Sequence, residues 1–390
     1  NIQNQDVILI PLWMNEGLAE FLASDWDAES DMWIRDLVIN GGQLPKLNEL
    51  NGYLAYRGGQ SIWEFIVEKL DTAYINQETK APTIIAKIFE SIAISSSLNQ
   101  ALEESIGIGL EELELEWHKY LKSEYWPDIN NRQYVSDIST PLIDEKKVLS
   151  SYNIAPSISP DGSKIAYYSN KDGLMSLYII PSDCDNCTSK SIKKIIRGGM
   201  SIDFEELNIL KPGISWSKDS QKIILSSQSK GQDVLFTIDI NSKEKDRIVL
   251  DHTIKSIFQP AWNPIHDNII AFIGCNDNQS DIYTYNLDSQ QLVQMTNDIF
   301  TDKEISWSND GKNILFSSDR GDSSWTDQYD LYSISLDSKY IIRLTNTPDN
   351  EYYPISMQSD SLIIFISLSY IRVIVYIFEV STSLIQSITG

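Results

Sequence analysis

Glu16 and Glu20 are the residues whose type and spacing most invite chemistry. They close the run Pro11-Leu-Trp-Met-Asn-Glu-Gly-Leu-Ala-Glu20, and a separation of four puts both carboxylates on one face of a helix. A solvated helix face is the ordinary reading of such a pair. Pro-x-Trp ahead of it, and Gly and Ala inside it, make this run less ordinary. A second cluster is Tyr53-x-x-Tyr56-Arg57-Gly58-Gly59-Gln60-x-x-Trp63. Tyr53, Tyr56 and Arg57 suit a cleft wall that steadies a tetrahedral oxyanion. In the plainer reading both tyrosines are packing residues where a helix begins.

Other reactive types give weaker signals. The chain has three histidines, His118, His252 and His266. None lies in an H-E-x-x-H, the pairing that binds zinc from one helix face. His118 has no second His at i+4 and reads as a helix-surface residue; His252 and His266 fall in turns. Cys184-Asp-Asn-Cys187 could be a redox pair, a local disulfide or half a zinc knuckle. Without a second C-x-x-C nearby, a hairpin-tip disulfide or two free thiols fits better. No G-x-S-x-G occurs, so a serine nucleophile on an elbow has no support.

These groups must be positioned by a chain of 390 residues with a formal net charge of −24. That length fits two or three domains. The charge argues against a nucleic-acid partner, which needs a basic face. No calcium-loop pattern appears among the aspartates. No signal peptide stands at Asn1, and Asn1-Ile-Gln-Asn-Gln5 reads as linker. The expectation is an internal fragment, cut at both ends.

From Pro11 to about Trp126 apolar residues recur at helical spacing. Pro11 suits a first turn. Asp27 is placed to cap a second helix carrying Met32, Trp33, Leu37 and Val38, with Gly41-Gly42 ending it. A third helix is expected from Gly59 to Leu70, a fourth from Pro82, a fifth after the capping-box sequence Ser97-Leu-Asn-Gln100, and a last one over Leu110 to Leu121. A polar stretch from Trp126-Pro127 to about Lys147 marks the boundary.

Beyond it the period changes to two. A unit recurs as Ile158-Ser-Pro-Asp-Gly-Ser-Lys-Ile165, Ser215-Trp-Ser-Lys-Asp-Ser-Gln-Lys-Ile223, Ala261-Trp-Asn-Pro-Ile-His-Asp-Asn-Ile269 and Ser306-Trp-Ser-Asn-Asp-Gly-Lys-Asn-Ile314. A weaker copy starts at Ile355. The copies lie about 45 to 58 residues apart, the range of four-stranded propeller blades. In each, a strand ends, Asp, Asn and Gly make a tight turn, and an apolar strand follows. The apolar run Ser361–Val380 is long enough for a membrane span. Arg372 near its middle would be costly there, and its pieces fall where a blade's second and third strands belong. A strand pair is expected, with no membrane span.

Two resemblances follow from these motifs. The Pro11–Glu20 run resembles the W-x-x-E-G-x-A-E helix of gluzincin-type zinc peptidases, the peptidase MA-like group. Asp31-Met-Trp-Ile-Arg-Asp36 and Tyr53–Trp63 look like the helices that follow it there. That resemblance implies Glu16 as third zinc ligand and Glu20 just behind, accepting a hydrogen bond from a ligand His. It also implies two His ligands and a general-base Glu that this sequence lacks. Zinc is therefore expected in the intact parent and not in this chain, which should be inactive as it stands. The repeat over Ser150–Gly390 resembles the TolB-type, WD-repeat-like propeller with its S-P-D-G motif.

The expected architecture is multidomain α plus all-β: an α-helical zincin-like lobe over residues 1–126, a linker over 127–147 and a propeller over 148–390 with about five blades, truncated. The resemblances imply a bacterial extracytoplasmic zinc metallopeptidase whose propeller binds protein or peptide substrate. The rival is a non-catalytic TolB-like binding module of envelope protein complexes with a degenerate lobe. A third reading, an envelope scaffold without peptidase heritage, expects Glu16 and Glu20 to face open solvent.

Overall fold

The computed structural model describes residues 10–23, 26–40, 43–70, 81–131, 135–143, 148–150, 152–184, 187–209, 211–276, 279–321, 328–357, 361–369, 372–379 and 384–387. They form two compact units, one reaching Asp137 and one starting at Ile138.

The first unit is helical. α1 (Leu12–Ala23) begins where the Pro11 carbonyl accepts the Met14 N–H at 3.0 Å. Asp27 caps α2 (Ala28–Asn40), its carboxylate taking the Ser30 N–H at 2.8 Å, which satisfies one of the orphan donors of a first turn. Gly41-Gly42 lie outside the described residues. α3 (Tyr53–Glu64) begins at Tyr53 rather than at Gly59 and runs on as a π turn, Phe65–Lys69. Gly52, at φ +54°, makes the bend before it, and buried Ala55 already belongs to its inner face.

α4 (Ala81–Ser95), α5 (Leu98–Ile106), α6 (Leu110–Asn131) and α7 (Val135–Ile138) follow. Half of the expected capping box forms before α5. The Ser97 hydroxyl accepts the Gln100 N–H at 3.4 Å, but the Gln100 side chain turns to Glu104 at 2.8 Å. α6 runs through Pro127 to Asn131, past the start of the expected linker. A proline so near the end of a helix removes one of its last hydrogen bonds without breaking it.

The core is aromatic at its centre. Trp13, Trp63 and Trp117 are buried with Met14, Ile34, Ile62 and Ile88. Each deep indole needs a partner for its N–H. Trp63 Nε1 donates to the Met14 carbonyl at 3.0 Å and Trp117 Nε1 to the Ser61 hydroxyl at 3.1 Å.

The second unit consists of five antiparallel sheets with strands in sequence order. Blade 1 is Asn153–Ile158, Lys164–Ser169, Ser176–Pro181 and Lys193–Arg197. In blade 2 two short pieces, Glu206–Leu207 and Ile214–Trp216, share the first position; Lys222–Ser229, Gln232–Asp239 and Lys245–Ile248 follow. Blade 3 is Ser256–Trp262, Ile269–Asn276, Gln279–Asn286 and Leu292–Gln294. Blade 4 is Asp302–Trp307, Asn313–Ser318, Asp330–Ser335 and Ile341–Arg343. Blade 5 is Asn350–Ser356, Leu362–Ser369, Arg372–Glu379 and Leu384–Ser387, so the apolar C-terminal run is a strand pair. No helix among the described residues is long and apolar enough to cross a membrane.

The S-x-D turn is a small hydrogen-bonded knot. The Ser159 hydroxyl donates to Asp161 at 2.6 Å and accepts the Lys164 N–H at 3.0 Å, while Asp161 accepts the Ser163 N–H at 3.0 Å. Ser217 with Asp219 and Ser308 with Asp310 repeat it. The hydroxyls hold all three carboxyls below the ordinary range, Ser159, Ser217 and Ser308 being the largest cause in each case. Blade 3 uses Asn263 instead. That buried amide accepts N–H groups from Ile265 and His266 and donates to the Gly311 carbonyl of blade 4 at 2.8 Å.

Blade 1 is closed on its outer side by its own chain. Tyr167, Tyr178, Ile180 and Ile192 pack there with Val148 and Cys187, and with Leu142 and Ile143 from the expected linker. The Leu142 carbonyl accepts the Cys187 N–H at 2.8 Å, and Cys184–Cys187 are disulfide-bonded.

Candidate functional site

Two places answer to the residues singled out by the sequence. The first is the crossing of α1 and α3. A Cβ on Gly17 would stand 2.2 Å from the Gly59 carbonyl carbon, so the two backbones touch. That contact lays the faces carrying Glu16 and Glu20 against the face carrying Tyr53, Tyr56 and Arg57. Arg57 donates to Glu20 at 2.9 Å, to Ser30 at 3.1 Å and to Gln60 at 3.1 Å, and its Nε reaches the Tyr53 hydroxyl at 3.1 Å. The Tyr53 ring in turn lies 4.7 Å from that of Trp33. The Tyr56 phenol has its pKa raised, first by the negative charge of Glu16, then by burial and by a hydrogen bond to Glu16.

So all five residues share one site. Glu16 is half-buried beside Tyr56, and Glu20 is ion-paired to Arg57. The hydrogen bond that the resemblance assigns to Glu20 from a histidine is made by a guanidinium. His118 is elsewhere, its Nε2 lying 3.0 Å from the Pro45 carbonyl. Zinc needs three protein ligands in a site of this type. Among the described residues no three His, Cys, Asp or Glu side chains come together to hold a metal ion. Two carboxylates are fewer than the three ligands such a site needs, and Glu20 shares the Arg57 guanidinium with Ser30.

The second place is the axis of the propeller, which no sequence motif marks. The innermost strands of all five blades line one cavity of about 760 Å³. Its wall repeats a short pattern: Ala155-Pro156, Gly213-Ile214, Gln259-Pro260, Glu304-Ile305 and Tyr353-Pro354. In four blades the first of these residues has positive φ, at 52°, 49°, 58° and 54° for Ala155, Gln259, Glu304 and Tyr353. A register shift in each pairing marks the same point as a β-bulge. The bulge kinks each of these strands where it lines the cavity. In blade 2 the counterpart is Gly213, where a Cβ would stand 2.4 Å from Gln259 Cα.

Side chains tie these bulges into a belt. The Gln259 amide oxygen accepts the Glu304 N–H at 2.7 Å, and Glu304 accepts the Tyr353 N–H at 3.2 Å. Glu304 is held above the ordinary carboxylate range by burial, against the pull of Lys303 and two hydrogen bonds. Further out, Trp216 Nε1 donates to the Ser157 carbonyl and Trp307 Nε1 to the Ala261 carbonyl, both at 3.0 Å, each across a blade boundary. Ile158 and Ile355, at the cavity rim on blades 1 and 5, are 62% and 58% exposed, and Tyr353 is 52% exposed.

With this geometry described, comparison with known proteins adds a relationship. Residues 208–390 match the TolB beta propeller domain. Blades 2 to 5 are thus similar to a TolB propeller. Similar solved structures include TolB from Acinetobacter baumannii, at 17% identity over 60% of this chain and 54% of that one, with a TM-score of 0.49. The β-propeller domain of the Trilobed protease from Pyrococcus furiosus gives 16%, 61%, 71% and 0.43 in the same terms. A puromycin-hydrolyzing peptidase from Mycobacterium tuberculosis gives 10%, 60%, 37% and 0.45. The chain thus spans about half the length of the Acinetobacter protein. No curated protein matches the sequence.

Proposed function

We propose that this chain is a polypeptide-binding module that works through its propeller. The observation that carries the reading is the shared cavity. Five innermost strands converge on it, Pro156, Pro260 and Pro354 are among its lining residues, and Ile158, Tyr353 and Ile355 on its wall are exposed. Large exposed apolar side chains around a concave surface are what a protein or peptide partner would cover. Similarity to the TolB propeller supports an envelope setting. The Cys184–Cys187 disulfide supports an oxidising, extracytoplasmic one, because the cytosol keeps such pairs reduced.

Labelled unstructured peptides of varied composition, titrated against the purified chain, test this reading. Apolar peptides should bind, and Ile158→Asp with Ile355→Asp should remove that binding while leaving the fold intact. Binding that ignores both substitutions would place the partner elsewhere.

The α1–α3 crossing favours a second reading, a parent that is a zinc metallopeptidase. Its support is that Glu16, Glu20, Tyr53, Tyr56 and Arg57, far apart in sequence, collect in one place. In that reading Glu16 would be the third zinc ligand, and the parent would supply the remaining ligands. Zinc bound to the protein made with its natural flanking sequence is the measurement. A stoichiometric signal lost on Glu16→Ala supports the reading; a metal-free parent sinks it.

A further inference from the structure

We infer that the cleft between blades 2 and 3 is a second binding site, which takes an extended, positively charged polypeptide segment as an added strand. The cleft measures about 730 Å³ and is lined by both blades, away from the bulges that face the axis. One of its walls is the strand Lys245–Ile248, which ends the strand order of blade 2 and, among the described residues, has no strand paired to its other edge. An edge strand beside a cleft is the geometry by which sheets accept a further strand, main-chain hydrogen bonds giving affinity and side-chain pockets selectivity.

Apolar side chains are interspersed with the polar ones. Ile248 and Leu287 line the cleft, and Val249, just past the edge strand, is 46% exposed there. Alternation along a strand puts Asp246 on the same face as Ile248. An incoming strand would meet acidic and apolar side chains in turn.

Charge selects the occupant. Asp219, Asp246, Asp267 and Asp288 line the cleft, against Lys222 and Arg247. Arg247 is committed to its own blade, with Nε on the Ser229 hydroxyl at 3.0 Å and a terminal nitrogen on the Ser229 carbonyl at 3.1 Å. The balance is negative within a chain that is itself strongly acidic. An acidic segment would be repelled, and a segment alternating basic and apolar residues matches both surfaces.

The test uses the whole chain and a fluorescein-labelled six-residue peptide alternating lysine with valine, followed by fluorescence anisotropy. Saturable binding is expected, weakened as salt is raised. The glutamate–valine counterpart should bind at least tenfold more weakly. Asp246→Asn with Asp288→Asn should cost about tenfold, since both side chains are exposed and their loss leaves the fold unchanged. Val249→Ser should weaken binding without changing its salt dependence, and Ile158→Asp at the axial cavity should change nothing. Absence of binding, equal affinity for both peptides, indifference to the aspartate substitutions, or loss in the Ile158 variant would each overturn the proposal.

Discussion

Gly17 and Gly59 meet backbone to backbone. A Cβ on Gly59 would stand 2.1 Å from the Trp13 carbonyl oxygen, and one on Gly17 would lie as close to Gly59 itself. The atoms in the way are main-chain atoms, which cannot rotate aside as a side chain can. The distance between α1 and α3 is therefore set by two missing methyl groups. That distance brings Glu20 within an ion pair's reach of Arg57.

Gly59→Ala should destabilise the helical unit by at least about 2 kcal/mol, because overpacking against backbone forces the helices apart. Gly58→Ala is the control. Its Cβ would meet a Leu50 methyl at 3.0 Å, a side-chain end that can yield. Urea unfolding followed by circular dichroism at a helical wavelength compares the two. Equal stability of both variants would show that the backbone contact is slack.

The blades were legible because their signals are local. Period-two runs, a Ser-x-Asp turn and a repeated Trp recur in register, and Trp216, Trp262 and Trp307 occupy the same pairing position opposite Ile223, Ile270 and Ile314. The bulges were not legible. Ala155, Gln259, Glu304 and Tyr353 take positive φ without being glycine. Residue type gives no cue where tertiary packing forces a disfavoured backbone. The outer cap of blade 1 was hidden for a related reason. Leu142 and Ile143 sit in a polar stretch that reads as linker, and only the contact with Cys187 shows them packed. In the helical unit the sequence offered Glu16, Glu20, Tyr53, Tyr56 and Arg57 as separate candidates. Their convergence depends on the glycine crossing, and the pairing of Glu20 with Arg57 is a tertiary fact that no spacing rule supplies.

Glu16 and Tyr56 are coupled. The negative charge beside the phenol makes its ionisation harder, which raises its pKa. Glu16→Gln should lower that pKa toward the ordinary tyrosine value. Absorbance of the phenolate during a pH titration reports it, with Tyr56→Phe identifying the signal. An unchanged titration would show that the two side chains do not interact in solution.

Trp307 links blade 4 to blade 3 through its indole N–H. Trp307→Phe keeps most of the apolar contact but leaves the Ala261 carbonyl without this donor. A cost of about 0.5–1.5 kcal/mol is expected, the net worth of one hydrogen bond at a partly buried acceptor. Trp262→Phe makes a useful comparison, because Trp262 donates to the Asp267 carbonyl of its own blade at 2.8 Å. The Trp307 variant should loosen contact between blades, seen as faster hydrogen exchange in blades 3 and 4 together. The Trp262 variant should affect the blade 3 turn alone.

Glu351 and Asp302 are two buried carboxyls that make the propeller respond to pH. Burial pushes Glu351 up to about 7, against the hydrogen bonds from Thr345 and Thr347. Burial pushes Asp302 up to about 6, against the charge of Arg320 at 2.5 Å. Unfolded carboxylates titrate near ~4. Between about pH 4 and pH 7 the folded propeller therefore holds protons that the unfolded chain has released. Folding is favoured at the acidic end of that window, and the advantage is lost as pH rises through the two folded-state values. The turn aspartates act with opposite sign. Asp161, Asp219 and Asp310 are lowered by their serine partners, so their contribution is present above about pH 4 and is lost in stronger acid. The propeller should be most stable near about pH 4 to 5 and should lose stability as pH rises toward 7. Glu351→Gln removes the most raised of these groups; its amide oxygen still accepts from one threonine hydroxyl, and its NH2 group faces the other, which must turn to accept. At pH 8 it should add on the order of 3 kcal/mol, from a pKa shift worth about 1.4 kcal/mol per unit. Thermal unfolding from pH 5 to pH 8 is the measurement: the midpoint of the unmodified chain should fall across this range and that of the variant should fall less. Parallel curves would show that Glu351 is charged at no cost in the folded propeller.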